Sequence, residues 1–156
     1  MYHVTQAKRK LKQRLLDELP QRLLEADADA DDGLKTPGPY EIHTTDMMEL
    51  PGLPALELVV LDSQPTVDSY AKVYRHRLAV AITAGGDDEE TITLILERYI
   101  WAVRWIIRDL HITPIEGTSA ADTGGEQYTP FQKRPDTTEY PFVKGVFMEL
   151  FVTTVE

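Results

Sequence analysis

The sequence predicts an α+β fold, a small mostly antiparallel β-sheet packed by two main helices in the order α-β-β-α-β-β, with long loops. Three stretches carry that expectation. Tyr74, His76, Leu78, Val80 and Ile82 alternate with Arg75, Arg77, Ala79, Ala81 and Thr83, the period-two pattern of a strand with one apolar face. Thr91 to Leu110 places Ile92, Leu96, Tyr99, Val103, Ile106 and Leu110 along one line of a helix, with Ile95 and Ala102 beside it. Phe142 to Val155 is largely apolar in both alternating sets, so both faces of that strand call for cover.

The first helix spans about Thr5 to Leu19, because Val4, Ala7, Leu11, Leu15 and Leu19 recur at helical spacing, with Leu16 and Leu23 widening the stripe. Pro20 either kinks or ends it, and Pro20 to Ala26 suits a short second segment, since proline is tolerated in a first turn. Residues 27 to 54 form an irregular acidic connection. They hold Asp-Ala repeats, Pro37-Gly38-Pro39, Pro51-Gly52 and Pro54, with a short strand from Tyr40 to Thr44. Leu56 to Leu61 is a strand bounded by Pro54 and Asp62-Ser63-Gln64-Pro65, expected to pair with the long strand that begins near Ala71.

Gly85-Gly86 permits a tight reversal, and Asp87 followed three residues later by Glu90 has the order of an N-cap and its reciprocal partner, which starts the helix near Asp88. A Gly-Gly loop before a helix can also cradle phosphate, but the four acids from Asp87 to Glu90 would repel one. Beyond the helix, Thr113 to Thr118 suits a short edge strand. Residues 119 to 141 read as a long loop or arm rich in Gly, Thr, Asp and Pro, either flexible or ordered on assembly, in which Tyr128, Phe131 and Tyr140 favour partial docking. The nearly continuous apolar character of Phe142 to Val155 predicts a central strand or one with a second layer, and Gly145 marks a bulge or a close approach.

The second helix carries more apolar surface than one core face can bury. Trp101 falls in its polar sector among Glu97, Arg104 and Arg108, with Leu94 and Trp105 on the same edge and Arg98 and Asp109 just beyond. Tryptophan combines large area with a polar handle and is enriched at interfaces. Two explanations stand level: another segment of this chain covers the indoles, or a second subunit does.

The 156 residues suit one domain, with 42% hydrophobic content for a single modest core. No apolar run approaches the roughly 20 residues of a membrane span, and Lys8, Arg9 and Lys10 precede an amphipathic pattern rather than a secretory core, so a chain soluble and intracellular when made is expected. The absence of cysteine excludes disulfides, thiolate nucleophiles and cysteine metal sites. A net charge of -10 argues against a duplex-binding surface. That charge is uneven: Lys8, Arg9, Lys10, Lys12, Arg14 and Arg22 lead into Glu25, Asp27, Asp29, Asp31, Asp32, Glu41 and Asp46.

Catalytic chemistry finds few candidates. Asp27, Asp29 and Asp31 resemble the start of a calcium loop, but the sixth position is Asp32 where glycine is needed and the twelfth is Gly38 where a bidentate glutamate is needed. His43 and Asp46 lack a third ligand at matching spacing. His76 fits a hydrogen-bonded core or interface histidine better than a base, His111 fits a helix end where a cation favours the dipole, and His3 is terminal. Ser63, Ser69 and Ser119 lack a nucleophile elbow, and no glycine loop has a Walker or dinucleotide pattern. The expectation is no enzyme, no cofactor and no metal site.

The run Tyr74-Arg75-His76-Arg77-Leu78-Ala79-Val80-Ala81-Ile82, passing through Gly-Gly-Asp-Asp into Tyr99-Ile100-Trp101-Ala102-Val103-Arg104, resembles the tail-completion or tail-terminator proteins of long-tailed bacteriophages. The likeness is one of element order from about Leu11 to Val155, without a diagnostic motif. It implies a structural neck protein of the virion, made in the host cytoplasm and assembled as a homo-oligomeric, typically hexameric ring. Such a ring caps the tail tube, binds the tail tube protein and the head-completion or connector protein, and passes DNA through its lumen without sequence-specific binding. No membrane is involved, and an acidic lumen would avoid gripping the DNA.

On that resemblance the candidate interface residues are Leu94, Arg98, Trp101, Trp105, Phe147, Phe151, Tyr128 and Phe131. The acidic connection and the arm depart from the compact family pattern, which leaves tail terminator and head-tail joining protein both open. Two other classes stand beside it. An acidic DNA mimic requires carboxylates spread over a large surface rather than gathered at Asp27 to Asp32, and an α+β hydrolase requires a cleft of converging ionisable groups.

Overall fold

The computed structural model describes residues 3–45, 52–65, 73–112, 118–133 and 140–155. Two helices, α1 (His3–Ala30) and α2 (Glu89–Ile112), pack on one face of a mixed sheet. Its strands are β1 (Glu41–His43), β2 (Ala55–Pro65), β3 (Val73–Gly86), β4 (Thr118–Tyr128), β5 (Gln132–Lys133) and β6 (Phe142–Val155). They run in the order β1-β2-β3-β6-β4, with β5 pairing β6 off this path. Among the described residues β1 is parallel to its neighbour and the other pairings are antiparallel. The α+β class, the two helices and the mostly antiparallel sheet agree with the sequence pattern.

Helix α1 is longer than expected. It runs through Pro20 to Ala30, taking in residues assigned to the acidic connection. Pro20 is exposed, and the buried stripe Ala7, Leu11, Leu15, Leu19, Leu23 and Ala26 continues past it without a break in phase. That continuous face outweighs the hydrogen bond a mid-helix proline forfeits. Leu16, expected in the stripe, instead lies outside it at 44% exposed. The helix ends at Asp31, whose φ of 46° enters the left-handed region, followed by Gly33 at 79°.

The core lies between the helices and one face of the sheet. Leu78, Val80, Ile82 and Ala84 of β3, Val146, Met148, Leu150 and Val152 of β6, and Leu56 and Leu58 of β2 meet the α2 face of Ile92, Leu96, Tyr99, Val103 and Ile106. Strand β6 lies between β3 and β4, as its doubly apolar pattern requires, and pairs with β3 from Phe142↔Gly86 to Val155↔Val73. A smaller cluster of Leu53, Ala55 and Val143, with Tyr140 against it, closes one end of the opposite face. There Gly52 packs flat under Tyr40, so closely that an added Cβ would fall 2.5 Å from the ring. The Leu53-Pro54 peptide is cis.

Two local assignments change. The cap of α2 is Asp88 rather than Asp87: its Oδ1 accepts the Glu90 N–H at 3.1 Å and its Oδ2 the Thr91 hydroxyl at 2.7 Å. The loop expected over 119–141 is largely strand, because β4 occupies Thr118–Tyr128 against β6 and β5 follows at Gln132–Lys133. Its small polar residues give no apolar alternation, and a register shift between Asp122 and Glu126 interrupts the little there is. The strand expected to begin at Thr113 falls mostly on residues 113–117, which lie outside the described residues, as do Asp46, Ser69 and the side chains of Ser119, Leu110 and His111.

Candidate functional site

Helix α2 and strand β4 border an open groove of about 410 Å³, lined by Glu97, Ile100, Trp101, Arg104, Trp105, Arg108, Glu126 and Tyr128. The α2 residues recur every three or four positions along one edge of the helix, where Ile100 is buried in the core and the others lie outside it. Trp101 and Trp105 meet edge to face, their ring centroids 6.1 Å apart at 62°. The Trp105 ring is covered by two guanidinium groups, Arg108 at 4.7 Å and Arg22 of α1 at 5.4 Å. Trp101 remains 36% exposed and Tyr128 38%. This chain therefore covers one indole in part and leaves the other open.

Across the groove, Arg104 Nη1 pairs with Glu126 Oε2 at 2.8 Å, tying α2 to β4. Burial, then the neighbouring Glu126 and Glu97 carboxylates, raise the Tyr128 phenol above its ordinary value. Lys144 lies 4.4 Å from the Phe131 ring and 5.2 Å from Tyr128, a cation over the aromatic pair at the end of β4. Arg104 was placed beside Trp101 by the helix wheel, but its partner Glu126 escaped notice because it sat in an apparent loop.

The eight candidate interface residues do not form one patch. Trp101, Trp105 and Tyr128 share the groove, with Leu94 half-buried two turns up the helix. Phe131 packs against the main core. Phe147 and Phe151 are half-buried on the sheet face away from the helices, where Arg75 stacks 3.7 Å over Phe151. Phe147 borders a shallow depression of about 200 Å³ with Gly125, Glu126, Gln127 and Glu149, just across β4 from the groove.

Arg98 belongs to none of these surfaces. It is 6% exposed, and its guanidinium reaches Asp27 Oδ1 at 2.8 Å, the Leu34 carbonyl at 3.1 Å and Asp32. Thr36 adds two bonds to Asp27, from its N–H at 2.9 Å and its hydroxyl at 2.6 Å. Burial opposes the ionised form of Asp27, but these bonds outweigh it and hold the carboxyl below its usual range; Asp32 is lowered chiefly by Arg98 itself. Asp27, which opened the resemblance to a calcium loop, and Asp32, which broke it, thus both serve as anchors for an arginine.

His76 is buried, with Nδ1 2.7 Å from the Ser63 hydroxyl and Nε2 2.9 Å from the Thr154 hydroxyl. The arrangement has the outline of a nucleophile and base, but the third group is an uncharged hydroxyl that cannot stabilise an imidazolium as a carboxylate does. His43 pairs with Glu41 at 3.1 Å. Among the described residues no group of three or more potential ligands is placed to hold a metal, and no helix is long and apolar enough to cross a membrane. No protein-family model matches the chain, and no curated protein matches it in sequence.

Proposed function

We propose that this chain is a structural protein of the bacteriophage neck, a tail terminator or tail-completion protein that forms a ring capping the tail tube and joining it to the head connector. The observation that supports this best is the Trp101–Trp105–Tyr128 groove. Large aromatic side chains at a rim, braced by arginines and carboxylates, make the kind of anchor on which protein interfaces concentrate their energy. The element order that resembles the neck proteins is the second support. Asp27 turns inward to Arg98 and Asp32 is neutralised by the same guanidinium, which weakens the case for a DNA mimic, since a mimic must display unpaired carboxylates.

Light scattering with negative-stain imaging across a concentration series, alone and with purified tail tubes, tests the proposal. Rings, or capping of the tubes, are the expected result. A monomer under every condition that binds no tube would overturn it. The head-tail joining position would give the same ring, but the ring would bind connector and leave tail tubes bare.

A further inference from the structure

The aromatic groove and the shallow depression at Phe147 straddle one structural element. The aromatic groove takes Glu126 and Tyr128 from one side of β4, and the depression at Phe147 takes Gly125 and Gln127 from the other. Strand β4 ends the sheet, so among the described residues its outer row of N–H and C=O groups faces no other strand. Isolated edges invite pairing, and proteins commonly blunt them with lysine, proline, charge or bulges; β4 contains no lysine or proline in its 11 residues, and its irregularity is confined to the register shift between Asp122 and Glu126.

The opposite side of the same sheet is also open. Strand β1 pairs only with Ala55 to Glu57 of β2, which leaves Leu58 to Pro65 without an outer neighbour among the described residues. That edge begins with Leu58-Val59-Val60-Leu61, and Leu61, at the register shift, is 42% exposed. Each edge is divided by a register shift, β2 between Val60 and Asp62 and β4 between Asp122 and Glu126, so each offers two short segments of backbone for pairing. Pairing β4 with its own copy would close a dimer and leave the apolar β2 edge bare.

We propose that the β4 edge of one copy pairs with the β2 edge of the next, joining the sheets of neighbouring subunits through their backbones. This joint presupposes the ring proposed above and specifies how it is built. Because β2, β3, β6 and β4 alternate in direction, β4 runs opposite to β2. A rotation about an axis along the strands preserves those directions, so the joint is antiparallel and continues the alternation. Each subunit then uses two different edges, the head-to-tail arrangement that closes into a ring. The neighbour's β2 also brings Leu61 toward the surfaces flanking β4.

The absence of native cysteine makes a cross-linking test clean. Gln127→Cys is combined with Leu61→Cys or Gln64→Cys, all at exposed positions, and assembled protein is treated with a short thiol cross-linker. A ladder from dimer upward in the double variants, absent from each single variant, is expected, and amide exchange in 58–65 and 118–128 should slow about tenfold or more on assembly. Dimers from Gln127→Cys alone would show β4 pairing with itself and overturn the joint. Rings that form without the ladder and without slowed exchange would also overturn it while leaving the ring intact. Failure of the unmodified chain to form rings, alone or on tail tubes, would instead remove the ring and the joint together.

Discussion

Arg98 of α2 donates to Asp27, on the last turn of α1, at 2.8 Å across 71 positions of sequence. The same guanidinium bonds Asp32 and the Leu34 carbonyl, so one side chain fixes the end of α1 and the turn beyond it. Arg98→Met should cost roughly 3 kcal/mol, because a largely buried carboxylate and a carbonyl lose their partner. Arg98→Lys should recover only part, since an ammonium cannot bridge three acceptors in a plane. Urea denaturation of the three proteins measures the difference.

That network should respond to acid. Asp27 and Asp32 lie below the ordinary carboxyl value of 3.8, so their contribution is complete above that value and is lost as pH falls through the lower folded-state values. The Tm gap between the unmodified chain and Arg98→Met should therefore narrow as pH drops from about 5 to about 2. A gap that stays constant would show that the ion pairs contribute nothing to stability.

Trp101→Ala should separate assembly from folding. Losing the edge contact with Trp105 should cost the monomer about 1 kcal/mol, whereas loss of an interface anchor worth about 2 kcal/mol would weaken ring formation about thirtyfold. Thermal melts and concentration-dependent light scattering on the same preparation read both. If the substitution unfolds the chain, Trp101 is a core residue and the proposed contact is wrong.

The helix cap gives a paired comparison. Asp88→Ala removes the acceptor of the Glu90 N–H and the Thr91 hydroxyl and should lower Tm, whereas Asp87→Ala should leave Tm nearly unchanged. Equal effects would mean that acid near the helix dipole, rather than the specific bonds, stabilises this end.

Gly52→Ala tests a close approach rather than a backbone conformation. The new methyl would displace the Tyr40 ring, and because Tyr40 is itself largely exposed the ring can swing outward. A loss of about 1 kcal/mol is expected, and the double variant Gly52→Ala with Tyr40→Ala should lose no more than Tyr40→Ala alone.

The elements with strong periodicity were legible in the sequence. The alternation through Tyr74 to Ile82 and the doubly apolar Phe142 to Val155 identify β3 and β6, and the wheel of Ile92 to Ile106 identifies the core face of α2, because burial enforces those periods. Strand β4 was not legible. Ala120, Ala121, Gly124 and Gly125 lack β-branched bulk, and the pairing that holds them comes from β6, residues later in the chain. Pro20 misled for a related reason, since a local rule about proline yields to a buried stripe that continues to Ala26. Trp101 was legible as surplus on the wheel. That Arg98, three residues earlier, turns inward depends on Asp27 and Asp32 folding back to meet it, which no local pattern records.

The placement of β6 also imposes an order on biogenesis. It leaves the ribosome after β3 and β4 yet lies between them, so neither gains β6 as its neighbour until residues 142–155 emerge. Until then α2 can shield the inner face of β3, while one side of β3 and all of β4 wait unpaired. A nascent chain stalled before Phe142 would expose those edges together. Its hazard would be premature association with other nascent chains, and the arrival of β6 is what leaves only the outer edges available for partners.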